Sequence, residues 1–214
     1  MATKLFFDLE TLPDLREGAK ERVKAMMKAP ATHKKPETIA AWIEENADDA
    51  WRKTSFDGGY GAICVIGYAF DDEPVKTIIC DDEASGIDIF LDEIHAAREA
   101  DHFAGMEFIG HNVIGFDLPF IWKRAVINKL PHAIFPKDAR HGTGKVFDTM
   151  VAWAGFKDRI SLDNLAGILG LPSHKGEMDG SMVCDAWLAG KQVEIAAYCA
   201  KDVELTRSIY KAIS

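Results

Sequence analysis

The order of apolar patterns along this chain limits what it can fold into. Residues 3–9, 62–70 and 75–80 carry strand-like apolar runs, and three strands in succession suggest a meander. Apolar residues then recur at helical spacing over 87–97, and another apolar strand is predicted at 106–110. A run of strands, then strands mixed with helices, and then a helical end predict an α/β fold with a mixed sheet.

The remaining elements are predicted by apolar periodicity and by helix-start signals. A short strand is predicted at 145–148, after a connection rich in Pro and Gly. Ser161 is a candidate N-cap, because its side chain can accept a backbone hydrogen bond in a first helical turn. Helices are predicted at 119–128, 161–169, 179–188 and 193–213.

Residues 14–60 interrupt this scheme between the first and second strands. Helical patterns at 16–28 and 36–53 predict a helical insertion on one edge of the core. Residues 16–35 contain seven Lys and Arg against two Glu, in contrast to the acidic chain as a whole. Such a segment can hold a phosphate backbone, and it can equally be a solvated helix face. The sequence leaves both interpretations open.

Length and charge limit the class of protein. With 214 residues, of which 48% are hydrophobic, the chain can bury one full core, and we expect a single domain. The net charge of -9 argues against a protein that coats nucleic acid through bulk electrostatics. It does not exclude a nucleic-acid enzyme, because acids that hold divalent cations make a site acidic in the metal-free count.

Cysteine usage and the terminal segment favour a cytoplasmic protein. The four cysteines show no C-x-x-C spacing, so core packing is favoured over zinc binding, redox chemistry or disulfides. The N-terminus leads directly into a strand that contains acids, so we expect no signal peptide. No uninterrupted apolar run approaches the roughly 18 residues of a membrane span. We therefore expect a soluble cytoplasmic protein with no membrane partner.

Two acids stand on one face of the first predicted strand. Side chains alternate along a strand with a period of two, so Asp8 and Glu10 project to one side while Phe7 and Leu9 project to the other. Neighbouring carboxylates repel each other and are costly to desolvate, and a divalent cation between them removes both penalties. For this pair taken alone, a solvent-exposed strand end is the alternative.

Further candidates lie in the middle and at the end of the chain. Tyr198 and Asp202 are four residues apart in a predicted helix, which places the phenol and the carboxylate on one face. Asp117 stands at a predicted helix start, where N-terminal capping competes with a role at a site. Each signal alone has an ordinary structural explanation. Their conjunction, an acid pair, then Asn-x-x-x-Phe-Asp, then Tyr-x-x-x-Asp, favours a shared metal site.

This ordered set resembles the three exonuclease motifs of the DEDD superfamily, also called DnaQ-like, in its tyrosine-bearing branch. Residues 7–11 are similar to motif I, residues 112–117 to motif II and residues 198–202 to motif III. The sibling branch has a histidine one residue before that tyrosine, where this chain has Ala197, and the nearest upstream histidine is His174.

The set looks most like the proofreading exonuclease domain of family B DNA polymerases and stand-alone exonucleases related to it. The resemblance covers residues 3–13 and about 61–210, and a stretch from 161 to 181 also looks like the stand-alone group. It implies a ribonuclease H-like fold, with about five strands flanked by helices, in one exonuclease domain over residues 1–214.

The same resemblance implies removal of nucleotides one at a time from a 3' end with two Mg2+ or Mn2+ ions, held about 3.5 to 4 Å apart. Asp8 would bridge both ions, and Asp117 would support the second ion. Glu10 and Asp202 would hold the ion that carries the nucleophile. Tyr198 would orient the attacking water, because a phenol with a pKa of about 10 is a poor base at neutral pH.

Residues beside the motifs are candidates for substrate binding by the same resemblance. Thr11 and Leu12 follow motif I where relatives bind the 3'-terminal nucleotide, and an apolar side chain there could wedge against a base. His111 and Asn112 could contact that nucleotide, although a core or capping role is favoured for His111. Phe116 could pack beneath the site.

Two more acids lie near the predicted site. Asp148 is a candidate for an indirect role, in which it would position the metal ligands without contacting a metal ion. Asp163 is a weaker candidate, because it lies in the first turn of a predicted helix, where an acid suits the helix dipole.

Three functions are compatible with this reading. A 3'–5' exonuclease on single-stranded DNA ends is favoured over an exoribonuclease on short RNA, although metal and phosphodiester geometry do not choose the sugar. A catalytically silent module that holds nucleic-acid ends is the alternative outside enzymes, and the filled catalytic positions speak against it. A proofreading role would require a replication or repair partner in trans.

Overall fold

A computed structural model describes residues 2–100, 105–136, 140–172 and 178–214, and a five-stranded mixed sheet lies at its centre. The strands are β1 (Thr3–Leu12), β2 (Ala62–Phe70), β3 (Lys76–Ile79), β4 (Met106–Gly110) and β5 (Val146–Asp148). Their spatial order is β3-β2-β1-β4-β5. The first three strands form an antiparallel meander, while β4 pairs in parallel with both β1 and β5. The predicted α/β mixed sheet is therefore confirmed, with β1 as its central strand.

Helices cover both faces of this sheet. They are α1 (Ala19–Met26), α2 (Pro36–Arg52), α3 (Glu83–Ala100), α4 (Asp117–Ile127), α5 (Thr149–Ala154), α6 (Leu162–Ile168), α7 (Val183–Leu188) and α8 (Gln192–Ile213). Short 3-10 helices span Lys53–Phe56 and Gly180–Met182. In chain order, helices α1 and α2 follow β1 and precede β2, in the segment for which the sequence predicts two helices.

The structure differs from the sequence prediction at several element ends. Strand β1 continues to Leu12, three residues past its predicted end, because its pairing with β2 resumes after a bulge between Glu10 and Thr11. Helix α5 is missing from the prediction, since six residues are too few to show helical periodicity. The helix predicted at 179–188 begins as a 3-10 turn. His174 and the rest of 173–177 lie outside the described residues.

Strand β1 sends alternate side chains into two different parts of the core. Phe7 packs on the α3 side, with its ring centroid 6.1 Å from that of Phe90. Phe6 packs on the opposite face, in a cluster with Val203 of α8. Asp8 stands two residues after Phe6 and also faces α8, where it contacts Cys199. The acid pair therefore lies on the α8 face of the sheet.

Two expectations from composition can be compared directly with the structure. All four cysteines are buried free thiols, as core packing predicts. Within the described ranges, none of the helices has the length and apolar character needed to cross a bilayer.

A glycine on β2 allows α8 to approach the sheet closely. Gly67 pairs with Asp8 across the β1–β2 ladder. A Cβ atom at Gly67 would lie 2.7 Å from the Cys199 Sγ and 3.1 Å from the Val203 Cγ2. Such distances are shorter than packed carbon atoms tolerate. The absence of a side chain at Gly67 therefore sets how closely α8 lies to Asp8.

Gly67→Ala tests this close approach. We expect the free energy of unfolding to fall by about 1 to 3 kcal/mol, because the added methyl group overpacks the contact between β2 and α8. Urea denaturation provides the measurement. Gly167→Ala in α6 is the matched control, since no atom lies within 4 Å of its added Cβ, and we expect it to be neutral or stabilising by up to about 1 kcal/mol. Equal stability of Gly67→Ala and wild type would mean that α8 is not held against the sheet as described.

Candidate active site

The acidic residues come together where β4 ends beside the central strand. Strand β4 pairs with β1 only as far as Phe6 and Ile109, so the backbone of β1 beyond that point lacks a strand partner on this side. The side chain of Asp117 fills this place, and its Oδ1 accepts a hydrogen bond of 3.1 Å from the Leu9 N–H. The chain thereby brings the start of α4 to the acid pair of β1.

Asp117 is not used as a capping residue. The N-cap of α4 is Phe116, and no side-chain capping bond is formed there. Asp117 itself is 2% exposed and bonds to β1 instead. Of the two interpretations that the sequence left open, the structure therefore supports a place at the site.

Helix α8 brings its own groups to the same acids from the other side. The Tyr198 phenol interacts with the Asp202 carboxylate, which lies one turn further along the helix. The thiol of Cys199 lies 3.5 Å from the carbonyl oxygen of Asp8 and 3.6 Å from its Oδ2. A carboxylate oxygen of Asp8, one of Glu10 and the Cys199 Sγ all lie within 4.8 Å of one another.

Cys199 was not predicted as a site residue. The sequence analysis assigned it to the core, and it is indeed fully buried. A signal was available, because Cys199 stands three residues before Asp202 and therefore shares its side of α8. Burial raises the pKa of the Cys199 thiol, and the charges of Asp8 and Glu10 raise it further. The thiol is thus a neutral donor to Asp8.

The acids raise one another's pKa values. Loss of hydration raises the pKa of Asp8 to about 7, and the charge of Asp202 contributes in the same direction. Glu10 is 7% exposed, and burial raises its pKa, as do the charges of Asp8, Asp202 and Asp117. Burial also raises the pKa of Asp117, with Asp8 as the next cause. The four carboxylates that the sequence singled out therefore lie close enough to repel one another.

This donor set fits divalent cations. Carboxylate oxygens are the ligands that hard cations such as Mg2+ prefer, and Mn2+ accepts the same set. The charges that shift the Glu10 carboxyl all come from other acids, so its ionised form lacks a compensating positive charge from the described residues. Asp8 and Glu10 on β1, with Asp117 and Asp202 on two helices, could hold such an ion.

Tyr198 is suited to orientation rather than to proton abstraction. Burial is the main cause that raises the pKa of this phenol, and the charges of Asp202, Glu10 and Asp8 add to it. The hydroxyl group is therefore protonated at neutral pH, and it can donate to Asp202 while its oxygen accepts from a further group.

Asp148 fixes the loop that leads to Asp117. Its carboxylate is fully buried and accepts hydrogen bonds from the backbone N–H groups of Asn112 and Ile114. It also caps α5 by accepting from the N–H groups of Met150 and Val151. Asp148 thus positions the loop, in keeping with the supporting role that the sequence suggested.

The two predicted polar residues of this loop have structural contacts. Asn112 has a φ of 63°, in the left-handed region that asparagine tolerates better than most residues. Both ring nitrogens of His111 are engaged, Nδ1 with the Thr149 hydroxyl at 2.9 Å and Nε2 with the Ile160 carbonyl at 2.8 Å. These contacts support the core role for His111, and burial lowers the pKa of its imidazole.

The remaining predicted substrate contacts divide into accessible and buried groups. Phe116 is partly buried and packs against Phe120, with ring centroids 5.4 Å apart. Thr11 donates from its hydroxyl to the Ser55 carbonyl at 2.8 Å. Leu12 is only 3% exposed, so the structure does not support the expectation that its side chain wedges against a base. The Leu12 side chain packs in the core instead, because β1 extends as far as this residue.

Asp163 lies in the first turn of α6, an element that supplies none of the four candidate metal ligands. Ser161 caps that helix by accepting the Asn164 N–H at 3.3 Å, as predicted. The structure therefore gives Asp163 the helix-start position that the sequence indicated.

The fold and the acids together define a class of protein. The central strand of a five-stranded mixed sheet carries an acid pair, and the last helix adds a tyrosine and an aspartate, so this is an α/β domain with an acidic centre of the kind that suits divalent cations. The chain belongs to the family described as predicted 3'–5' exonucleases related to the exonuclease domain of PolB, which matches residues 62–213. The match includes Asp117, Tyr198 and Asp202, while β1 with Asp8 and Glu10 precedes it.

A solved structure supports the fold independently. The family B DNA polymerase from the hyperthermophilic archaeon Pyrobaculum calidifontis is similar to 99% of this chain, with a TM-score of 0.63 and 16% sequence identity. The chain covers 24% of that polymerase, so it spans about a quarter of the polymerase's length. No curated protein matches the chain.

The crowded acids predict that stability depends on pH. An unfolded aspartate ionises near pH 4, whereas folded Asp8 keeps its proton up to about pH 7. Between these values the folded state binds more protons than the unfolded state, so the free energy of unfolding falls as the pH rises. We expect the metal-free wild type to lose on the order of 2 kcal/mol relative to Asp8→Asn between about pH 5 and about pH 7.5.

Urea denaturation of both proteins in EDTA measures this difference. Comparison with Asp8→Asn removes the contribution of His111, whose lowered pKa acts in the opposite direction over the same range. Addition of Mg2+ at the higher pH should restore stability to wild type and much less to the variant. Parallel pH profiles of the two proteins would show that Asp8 is not desolvated among other acids.

Proposed function

We propose that this chain is a single metal-dependent exonuclease domain that removes nucleotides from the 3' end of single-stranded DNA. The convergence of Asp8, Glu10, Asp117 and Asp202 around β1, close enough to raise one another's pKa values, carries the proposal. Family membership supports the 3'–5' exonuclease activity. The choice of DNA over RNA is the finer part of the proposal, and it follows the resemblance to polymerase proofreading domains.

The residues of the site would act in distinct ways. Two divalent cations, when bound, would activate a water molecule and offset the charge that develops on the phosphate. Asp8 interacts electrostatically with the other three acids and would be a ligand to the cations. Glu10 and Asp202 would hold one ion, and Asp117, which its bond to Leu9 fixes, would help to hold the other.

Tyr198 would orient the attacking water. Its hydroxyl is protonated and interacts with the Asp202 carboxylate, so the phenol oxygen is available to accept a hydrogen bond from water beside that acid. Cys199 and Asp148 would act indirectly, the first by donating to Asp8 and the second by holding the loop before Asp117. Nothing in this scheme requires a titrating side chain as general base.

An oligonucleotide assay tests the proposed activity. We expect wild type with Mn2+ or Mg2+ to shorten a 5'-labelled single-stranded DNA from its 3' end, and EDTA to stop the reaction. Asp8→Asn should reduce the rate at least about 1,000-fold, because one lost contact weakens both cation positions. Asp92→Asn, an exposed acid on α3, is the control and should retain wild-type rates.

The same assay discriminates among the alternatives. Faster shortening of a matched RNA would replace the DNA proposal with the exoribonuclease alternative. Shortening from the 5' end, or equal activity in EDTA, would contradict the mechanism. Binding of 3' ends without any shortening in either metal would favour the silent binding module.

Tyr198→Phe tests the orienting role separately from metal binding. The change removes one hydroxyl group and keeps the ring, so we expect kcat to fall about 10- to 100-fold with little change in KM. The midpoint of a Mn2+ titration followed by thermal melting should stay near that of wild type, because the four carboxylates are unchanged. An unaltered kcat would remove Tyr198 from the mechanism.

A further inference from the structure

Large side chains are exposed on the segment that immediately precedes β2. Phe56, at the end of the 3-10 helix Lys53–Phe56, is 71% exposed, and Tyr60 in the following turn is 43% exposed. Leu15, which follows β1, is 48% exposed. Single exposed apolar residues are common, but two aromatic side chains exposed within five residues of one short segment can form a binding surface.

This segment lies directly against the strand that carries the acids. The Ser55 carbonyl accepts a hydrogen bond of 2.8 Å from the hydroxyl of Thr11, the residue that follows Glu10. A Cβ atom at Gly61 would lie 2.7 Å from the Leu12 carbonyl oxygen, so the backbone of the turn rests on β1. Phe56 and Tyr60 are the chain neighbours of Ser55 and Gly61, and they therefore flank the end of β1 beside the acidic site.

The same turn also rests on the helix that begins with Asp117. A Cβ atom at Gly58 would lie 2.9 Å from the Phe120 carbonyl oxygen, within the first turns of α4. The turn thus contacts two of the elements that hold the candidate metal ligands.

The backbone that carries these aromatic groups is held in place by hydrogen bonds. Asp57 accepts the Gly59 N–H at 2.9 Å and bonds to the Lys123 ammonium at 2.6 Å. The Thr54 hydroxyl donates to the Trp51 carbonyl and its oxygen accepts the Asp14 N–H. A fixed backbone lowers the entropy lost when a ligand stacks on its side chains.

Positive charge accompanies the aromatic groups. Lys53 is exposed and has no ion-pair partner among the described residues. Arg16 is close enough to interact electrostatically with Tyr60, but Asp14 pairs its guanidinium at two positions and balances its charge. Lys53 stands out in a chain with a net charge of -9, and its charge suits a phosphate backbone.

We propose that Lys53, Phe56 and Tyr60 form a stacking surface that binds single-stranded nucleic acid upstream of its 3' end. Bases would stack on the two aromatic rings while the Lys53 ammonium faces a phosphate, the combination that proteins use to bind single strands without sequence preference. The proposal rests on the nuclease function proposed above and adds a surface from residues that precede the family match at 62–213.

The basic segment at 16–35 is less suited to binding a phosphate backbone than its composition suggests. Four of its cations are paired within the insertion: Arg16 and Arg22 with Asp14, Lys20 with Asp48, and Lys24 with Glu44. Much of its charge is therefore balanced internally. The solvated-face interpretation fits helix α1, and the aromatic groups mark a different place for nucleic acid.

Binding of labelled single strands in EDTA tests the stacking surface without hydrolysis. The probes are an oligomer of about twelve deoxyadenosines and an abasic phosphodiester chain of the same length. We expect Phe56→Ala and Tyr60→Ala each to weaken binding of the deoxyadenosine oligomer about ten-fold and to leave the abasic chain unaffected. Ile89→Ala, which removes an exposed apolar side chain from α3, is the control and should bind both probes as wild type does.

Salt dependence separates the Lys53 cation from the rings. Lys53→Ala should reduce the slope of log affinity against log salt by about 0.7, as expected for one lost phosphate contact to a single strand. Lys34→Ala, in the loop between α1 and α2, should leave the slope unchanged.

Two results would overturn the proposal. The first is equal affinity of wild type, Phe56→Ala and Tyr60→Ala for the deoxyadenosine oligomer. The second is a wild-type dimer in sedimentation that Phe56→Ala converts to a monomer, because the surface would then join two copies of the chain. An inactive wild type that still shows the expected binding pattern would support the surface and contradict only the nuclease function.

Discussion

Mutual repulsion among buried and half-buried carboxylates is the constraint on which the rest of this structure depends. Asp8 and Glu10 face α8 from the central strand, and Asp117 and Asp202 approach them from two helices. Burial and neighbouring charge raise the pKa values of Asp8, Glu10 and Asp117 together. A fold does not gain stability from such an arrangement without positive charge, and divalent cations supply it in the smallest space. The mutual repulsion of the acids therefore indicates a site that binds cations rather than an arrangement that stabilises the fold.

Small and mostly uncharged contacts hold the acids at these positions. The Leu9 N–H, left without a strand partner where β4 ends, fixes Asp117. Gly67 lets α8 lie close enough for the Cys199 thiol to reach Asp8. Asp148 gathers backbone N–H groups of the loop before α4. The first two contacts hold the carboxylate groups of Asp117 and Asp8 directly, and the third holds the backbone of the loop that leads to Asp117.

Sequence patterns predicted the elements better than they predicted the contacts. The strand at 106–110 and the meander of β1, β2 and β3 were recognisable because long apolar runs show their period directly. Helix α5 is too short to show one. The burial of Leu12 was missed because β1 passes through a bulge, which a period-two pattern does not reveal. Cys199 was assigned to the core because a buried thiol has the same sequence environment whether or not it donates to an acid.

The electrostatics of the insertion were also decided by packing. Composition alone left the segment at 16–35 open between a phosphate-binding arm and a solvated face. The acids that neutralise it come from α2 and from Asp14, and only the pairing of the two helices brings them near. Likewise, the exposure of Phe56 and Tyr60 has no signature in the sequence, where aromatic residues usually indicate a core.

The sequence by itself determined which groups were available and which face each of them takes on its own element. The period of a strand put Asp8 with Glu10, and the pitch of a helix put Tyr198 with Asp202. Only the tertiary structure decided that these groups meet, because Leu9 and Asp117 are 108 residues apart and Asp8 and Cys199 are 191 apart. Periodicity is a local property of the backbone, whereas contacts over such separations depend on how the sheet and helices pack as a whole.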